Sequence, residues 1–128
     1  MQEKNNPLSP HLQIYRWQIS SLLSITHRIV GVINILAISA ICFWSLFLLL
    51  GAESYEVLNN FFNSFFGKFI AVGLCWTFSF HILNELRHLF WDMGYGFDLK
   101  ISRITGVLAL VGSFVLTVIF YLIGKNFF

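Results

Sequence analysis

Between Ile29 and Ala52 the chain carries no Asp, Glu, Lys or Arg. About 20 helical residues, each rising 1.5 Å, cross the hydrocarbon core of a bilayer, so this run is long enough to span one. A second run begins after Lys68 and stays free of those residues as far as Asn84, and a third lies between Arg103 and Lys125, from Ile104 to Gly124. The second reaches Trp91 if the heads of Arg87 and His88 are paired or snorkel to the interface. None of the runs alternates with period two, which argues against a strand barrel. The pattern predicts an all-α membrane protein with three transmembrane helices, at about 24–50, 64–91 and 103–125, forming one membrane-anchor domain over residues 1–128.

Composition agrees. Hydrophobic residues make up 57% of the 128, and charged residues only 11%, less than half the roughly 25% usual for soluble domains. A net charge of +2 is too small to suggest a nucleic-acid partner. Cys42 and Cys75 both sit inside apolar runs, which suits packing better than a disulfide or a thiolate metal site. The chain is too short for a transporter built from two repeats.

Residues 1–10 are polar and contain Pro7 and Pro10, and no apolar stretch there resembles a cleavable signal, so the first span is expected to drive insertion. Residues 11–23 mix Tyr15, Arg16 and Trp17 with Leu12, Ile14 and Ile19, which suits an N-terminal segment lying at the interface. The connection from Gly51 to Gly67 carries two Phe doublets and reads as a short interfacial helix, while the glycine-rich connection from Asp92 to Lys100 reads as a turn. Lys4, Arg16, Arg28, Arg87, Lys100 and Arg103 fall on one side of this topology, and Lys68 and Lys125 on the other. Basic residues favour the inner side, so the N-terminus is expected inside.

The chemistry is concentrated in the stretch from His81 to Asp92. At helical spacing His81, Glu85 and His88 share one stripe, with Arg87 off it. Ionisable groups are costly in a membrane helix and persist mainly where they meet a partner, a cavity or a cofactor. His81 precedes Asp92 by roughly 16 Å of helix, near mid-membrane, with His88 near the inner interface. Two readings fit a neutral imidazole at mid-depth: haem ligation, or a hydrogen bond to another helix. His81 and His88 project from one face about 10.5 Å apart and cannot bracket one iron. His27 is placed near the interface, at a depth that does not match His81, so if His81 binds a haem with two histidines the second is expected from another chain. Ser24, Arg28 and Gly31 share a face of the first helix. A hydroxyl and a guanidinium one turn apart suit a polar head group such as a quinone carbonyl, and an inner-side anchor is the alternative for Arg28. Glu85 needs a partner or a proton, from Arg87, His88 or a neighbouring chain. Gly106, Gly112 and Ser113 mark the third helix for close helix association.

Two stretches together resemble a known family. One is Pro7-Leu-Ser-Pro-His-Leu-Gln-Ile-Tyr15, followed by Ser24-Ile-Thr-His-Arg28 and Gly31; the other is His81, then Arg87-His-Leu-Phe-Trp-Asp92 and Gly94-Tyr95. In order, spacing and three-helix layout they are similar to the cytochrome b family of succinate dehydrogenase, the larger membrane anchors of respiratory complex II. The likeness covers essentially the whole chain. It departs from the family at Glu85, where Gly is usual, at Trp17, where Pro is usual, and at Val30, where Thr is usual. A small residue at position 85 lets a haem or a partner helix come close, so a carboxylate there alters the local geometry without removing His81 as a ligand candidate.

The resemblance implies that His81 is an axial ligand of haem b, with the second histidine supplied by a smaller hydrophobic anchor subunit. It implies that Ser24 and Arg28 bind ubiquinone, and that His27 and Arg28 lie near the haem propionates. Further implied partners are an iron–sulfur subunit and a flavoprotein subunit, which oxidise succinate, together with membrane lipid. The implied location is the bacterial inner membrane, or alternatively the mitochondrial one. The chain has no dinucleotide-binding glycine motif and no cysteine cluster, so the flavin and iron–sulfur steps belong to other subunits. Two alternatives remain: a separate b-type membrane cytochrome, and a non-redox membrane assembly protein.

Overall fold

A computed structural model describes residues 17–49 and 51–127. The motif ending at Tyr15 and residues 11–16 of the expected interfacial segment lie outside them. Four helices follow in order: α1 (Ile19–Leu48), α2 (Ala52–Asn63), α3 (Phe65–Asp92) and α4 (Leu99–Phe127). Three of them, α1, α3 and α4, are long and apolar enough to cross a membrane. No strand occurs among the described residues.

The helices begin and end for local reasons. Gln18 is extended, and its carbonyl accepts from the Ser21 and Leu22 amides at 3.1 and 3.2 Å. The first helix therefore starts at Ile19, and residues 19–23 are continuous with the span. The Phe doublets are divided between two helices by Ser64. Its backbone is extended, and its hydroxyl accepts from the Gly67 amide at 3.1 Å, capping α3. A Cβ on Gly67 would collide with the Phe61 carbonyl, so only glycine permits this tight α2–α3 corner. Between α3 and α4, Gly94 and Gly96 turn the chain at φ 87 and 83°. The last span begins at Leu99, before Lys100 and Arg103, because the Asp98 carbonyl already accepts from the Ser102 amide at 2.7 Å. Charge places a helix in the bilayer; the hydrogen-bond pattern sets where it starts.

The packing is polar inside and apolar outside. A small cluster of Leu23, Val30 and Phe80, with Trp76 and Leu110 against it, is the apolar core. Around it lie buried Asn34, Thr77, Ser79, Asn84, Arg87, Ser113 and Thr117. Large residues such as Ile35, Leu36, Phe69 and Leu108 face outward. Lipid tails are as apolar as leucine, so burying leucine gains little here, and close backbone approach and interhelical hydrogen bonds take over. Thr77 Oγ1 donates to Asn34 Oδ1 at 2.8 Å, and Asn34 Nδ2 donates to the Thr77 carbonyl at 3.4 Å, fixing the register of α1 on α3. The expected small-residue row on the last helix packs within the chain: Gly106 faces Leu23 and Arg87, Gly112 faces Leu83, and Ser113 is fully buried.

Arg87 ties α3 to α4. Its Nε donates to Thr105 Oγ1 at 3.2 Å, and its Nη2 donates to the Ser102 carbonyl and hydroxyl at 2.9 and 3.0 Å. The guanidinium also lies 4.1 Å from the Trp91 ring centroid. Arg87→Met leaves these acceptors unmatched. It is expected to weaken the α3–α4 pairing by about 2–3 kcal/mol, the scale of a lost charge-assisted hydrogen bond. A thermal midpoint of the purified complex equal to wild type counts against this role.

Candidate functional site

The start of α1, the end of α3 and the start of α4 share one end of the bundle. Leu23 packs on Gly106, and Ile19 and Ser20 line a cleft with Leu99 and Arg103. Four of the described cations, Arg28, Arg87, Lys100 and Arg103, belong to this end, whereas Lys68 and Lys125 line a cleft at the other.

The helix register brings His27 into the site. Asn34 meets Thr77; seven residues back along α1 is His27, and seven residues on along α3 is Asn84. His27 is therefore level with a point between His81 and His88. Its ring stacks on His81 with centroids 4.4 Å apart and planes 15° apart, and meets His88 edge-on at 5.5 Å. The expectation that His27 lies at a different depth from His81 is thus corrected. α1 begins at Ile19, so His27 is already two turns inside the helix, and the imidazoles close the remaining offset.

Glu85 finds His27 rather than Arg87. Its Oε1 is 3.1 Å from His27 Nε2 and 3.9 Å from His81 Nε2. The first contact is short, but His27 Nε2 makes no aligned hydrogen bond. Arg87 is turned toward α4, and His88 stacks on Trp91 at 5.2 Å. His81 Nδ1 is buried without a hydrogen-bond partner. Across from it Gly31 leaves the ring room: a Cβ there would sit 3.4 Å from His81 Cε1. Beside the ring is an open cleft of about 330 Å³ lined by His81, Ile82, Glu85, Leu86 and Leu89.

Ser24 and Arg28 are exposed on the outer side of α1, and the described cavities do not include them. Gly31 instead turns to His81, so the three residues that share a helical face divide between the outer surface and the histidine cluster. Asp92 ends α3 and is exposed.

The donor set suits a haem. It offers an imidazole bordering an open cleft, with exposed Ile82, Leu86 and Leu89 beside it for a flat apolar ring. The model of the succinate dehydrogenase/fumarate reductase transmembrane subunit matches residues 2–120. The chain belongs to the succinate dehydrogenase cytochrome b family, membrane subunits of respiratory complex II.

Its relatives include the succinate dehydrogenase cytochrome b556 subunit of Rickettsia felis, 42% identical with 90% of each chain covered. The b556 subunit of Paracoccus denitrificans is 34% identical over 90% of this chain and 88% of its own. A mitochondrial inner membrane protein of Saccharomyces cerevisiae is 35% identical over 90% of this chain and 62% of its own. This family member is thus a multi-pass protein of an inner membrane.

Sequence reasoning passed over Asn34, Thr77 and Asn84. Asn84 is 1% exposed, and both its amide atoms lack partners. Asparagines inside otherwise charge-free spans were the available signal, because a buried amide in lipid must find hydrogen bonds.

Proposed function

We propose that the whole chain acts as a single membrane anchor with its N-terminus inside. It holds haem b through His81 together with a histidine of a smaller anchor subunit, and it forms part of a ubiquinone-reduction site through Ser24 and Arg28. The observation that carries this reading is the cluster of His27, His81 and His88 around a buried, unbonded imidazole nitrogen, at the end of the bundle richest in cations.

Stacking supports a two-chain haem site. Axial imidazoles approach an iron nitrogen-first from opposite sides, whereas His27 and His81 lie face to face at 4.4 Å. That contact leaves no room for an iron between them, which weighs against a self-contained b-type cytochrome. His27 and Arg28 then lie within reach of the propionate groups, as the family resemblance implies. When bound, the haem supplies a one-electron store near the quinone site. Exposed Ser24 and Arg28 are free to meet a quinone and the flanking subunits, and the cation at that end suits electron delivery from an iron–sulfur subunit on the same side.

A reduced-minus-oxidised spectrum of the complex, purified with its partners, tests the reading. A low-spin b-type band is expected, and the chain produced without the smaller anchor subunit is expected to bind haem poorly. Full low-spin occupancy in the lone chain contradicts the two-chain site. A complex with no haem band and normal quinone reduction points to a non-redox anchor.

A further inference from the structure

We propose that the Glu85 carboxylate sets the reduction potential of the haem held by His81, lowering it by favouring the ferric state. The inference rests on the ligation reading above. It starts from the placement of Glu85 one helical turn after His81, with Oε1 3.9 Å from His81 Nε2. The spacing is a property of the α3 backbone, which keeps Glu85 on the same helical face as that imidazole.

The charge has no Lys or Arg counter-ion among the described residues. Its ion-pair contacts are His27 at 3.1 Å and His81 at 3.9 Å. Arg87, two residues on, is committed to Ser102, Thr105 and the Trp91 ring. Arg28 is exposed on α1 and makes no ion pair with Glu85. The cleft beside the carboxylate is walled by Ile82, Leu86 and Leu89. The Glu85 side chain is 55% exposed, and inside the hydrocarbon of a membrane such a charge is screened less than in water, so its field reaches the ligand and what the ligand holds.

The sign follows from the charges. Reduction adds one electron to the ferric centre and removes one positive charge. A neighbouring carboxylate stabilises the more positive, ferric form, so more driving force is needed to reduce it. The 3.9 Å contact is too long for a hydrogen bond, so the effect runs through charge and not through altered basicity of the imidazole. Glu85 acts here as a positioning and electrostatic residue that does not itself bind the iron.

The test is an equilibrium redox titration of the haem band in the complete purified complex. Glu85→Gln keeps the shape and removes the charge, Glu85→Gly is a second neutral variant, and Glu85→Asp retains the charge. Both neutral variants are expected to keep a low-spin band and to raise the ferrous-to-ferric ratio at fixed potential about tenfold, 59 mV for one electron. Glu85→Asp is expected to stay near wild type. A normal band with an unchanged midpoint in both neutral variants overturns the inference and leaves the ligation reading standing. A wild-type complex without a haem band, or a His81→Ala complex that keeps it, overturns both.

Discussion

His81→Ala is expected to abolish or strongly shift the low-spin haem band of the assembled complex, whereas His88→Ala is expected to leave most of it. Of the histidines clustered here, His81 alone combines an unbonded buried Nδ1, a glycine facing its ring and an open apolar cleft alongside. His27 is held by Glu85 and lies against the flat face of His81, and His88 is stacked on Trp91. Removing an axial ligand leaves the haem with at most one imidazole, which changes spin state or empties the site. Assembly is checked alongside by succinate oxidation with a soluble acceptor. A normal low-spin band in an assembled His81→Ala complex rules out the ligation.

Arg28→Leu is expected to lower succinate–quinone reductase activity by roughly 10- to 100-fold, the rate equivalent of losing a charge-assisted hydrogen bond of about 1.5–3 kcal/mol. Succinate oxidation with a soluble artificial acceptor stays largely intact. Arg28 is exposed one turn from Ser24, so both can reach one ligand. In the proposed site the guanidinium would stabilise negative charge developing on a quinone oxygen, and the Ser24 hydroxyl would donate to the same carbonyl region. Lysine is a poor replacement where the fork geometry matters. Ser24→Ala acts in the same direction, by about 1 kcal/mol for one neutral hydrogen bond. Equal loss of both activities indicates failed assembly, and unchanged quinone kinetics in both variants removes these residues from the site.

Features set by neighbouring residues are legible in the amino-acid sequence. The three spans, the short helix before the second and the glycine turn before the third appear in the predicted order, although the first and last helices begin earlier than expected, at Ile19 and Leu99. Arg87 leaves the His81–Glu85–His88 stripe as spacing requires. The depth of His27 and the partner of Glu85 are not legible there, because each depends on which turn of α1 faces which turn of α3.

By itself the sequence determined that this chain is a membrane bundle, and which residue types gather in the His81–Asp92 stretch. A bilayer tests each segment separately, for length and freedom from charge, so composition along the chain suffices. Only the tertiary structure decided the register. Sliding α1 by one turn along α3 would leave its outward apolar surface much the same, because lipid does not distinguish one isoleucine position from the next. The register comes instead from contacts between residues distant in sequence: the Asn34–Thr77 hydrogen bonds, Gly31 against His81, and Leu23 seated on Gly106. Those contacts stack His27 on His81 and bring Glu85 to both. They are specific because interhelical hydrogen bonds and close backbone approach each exist at one offset only.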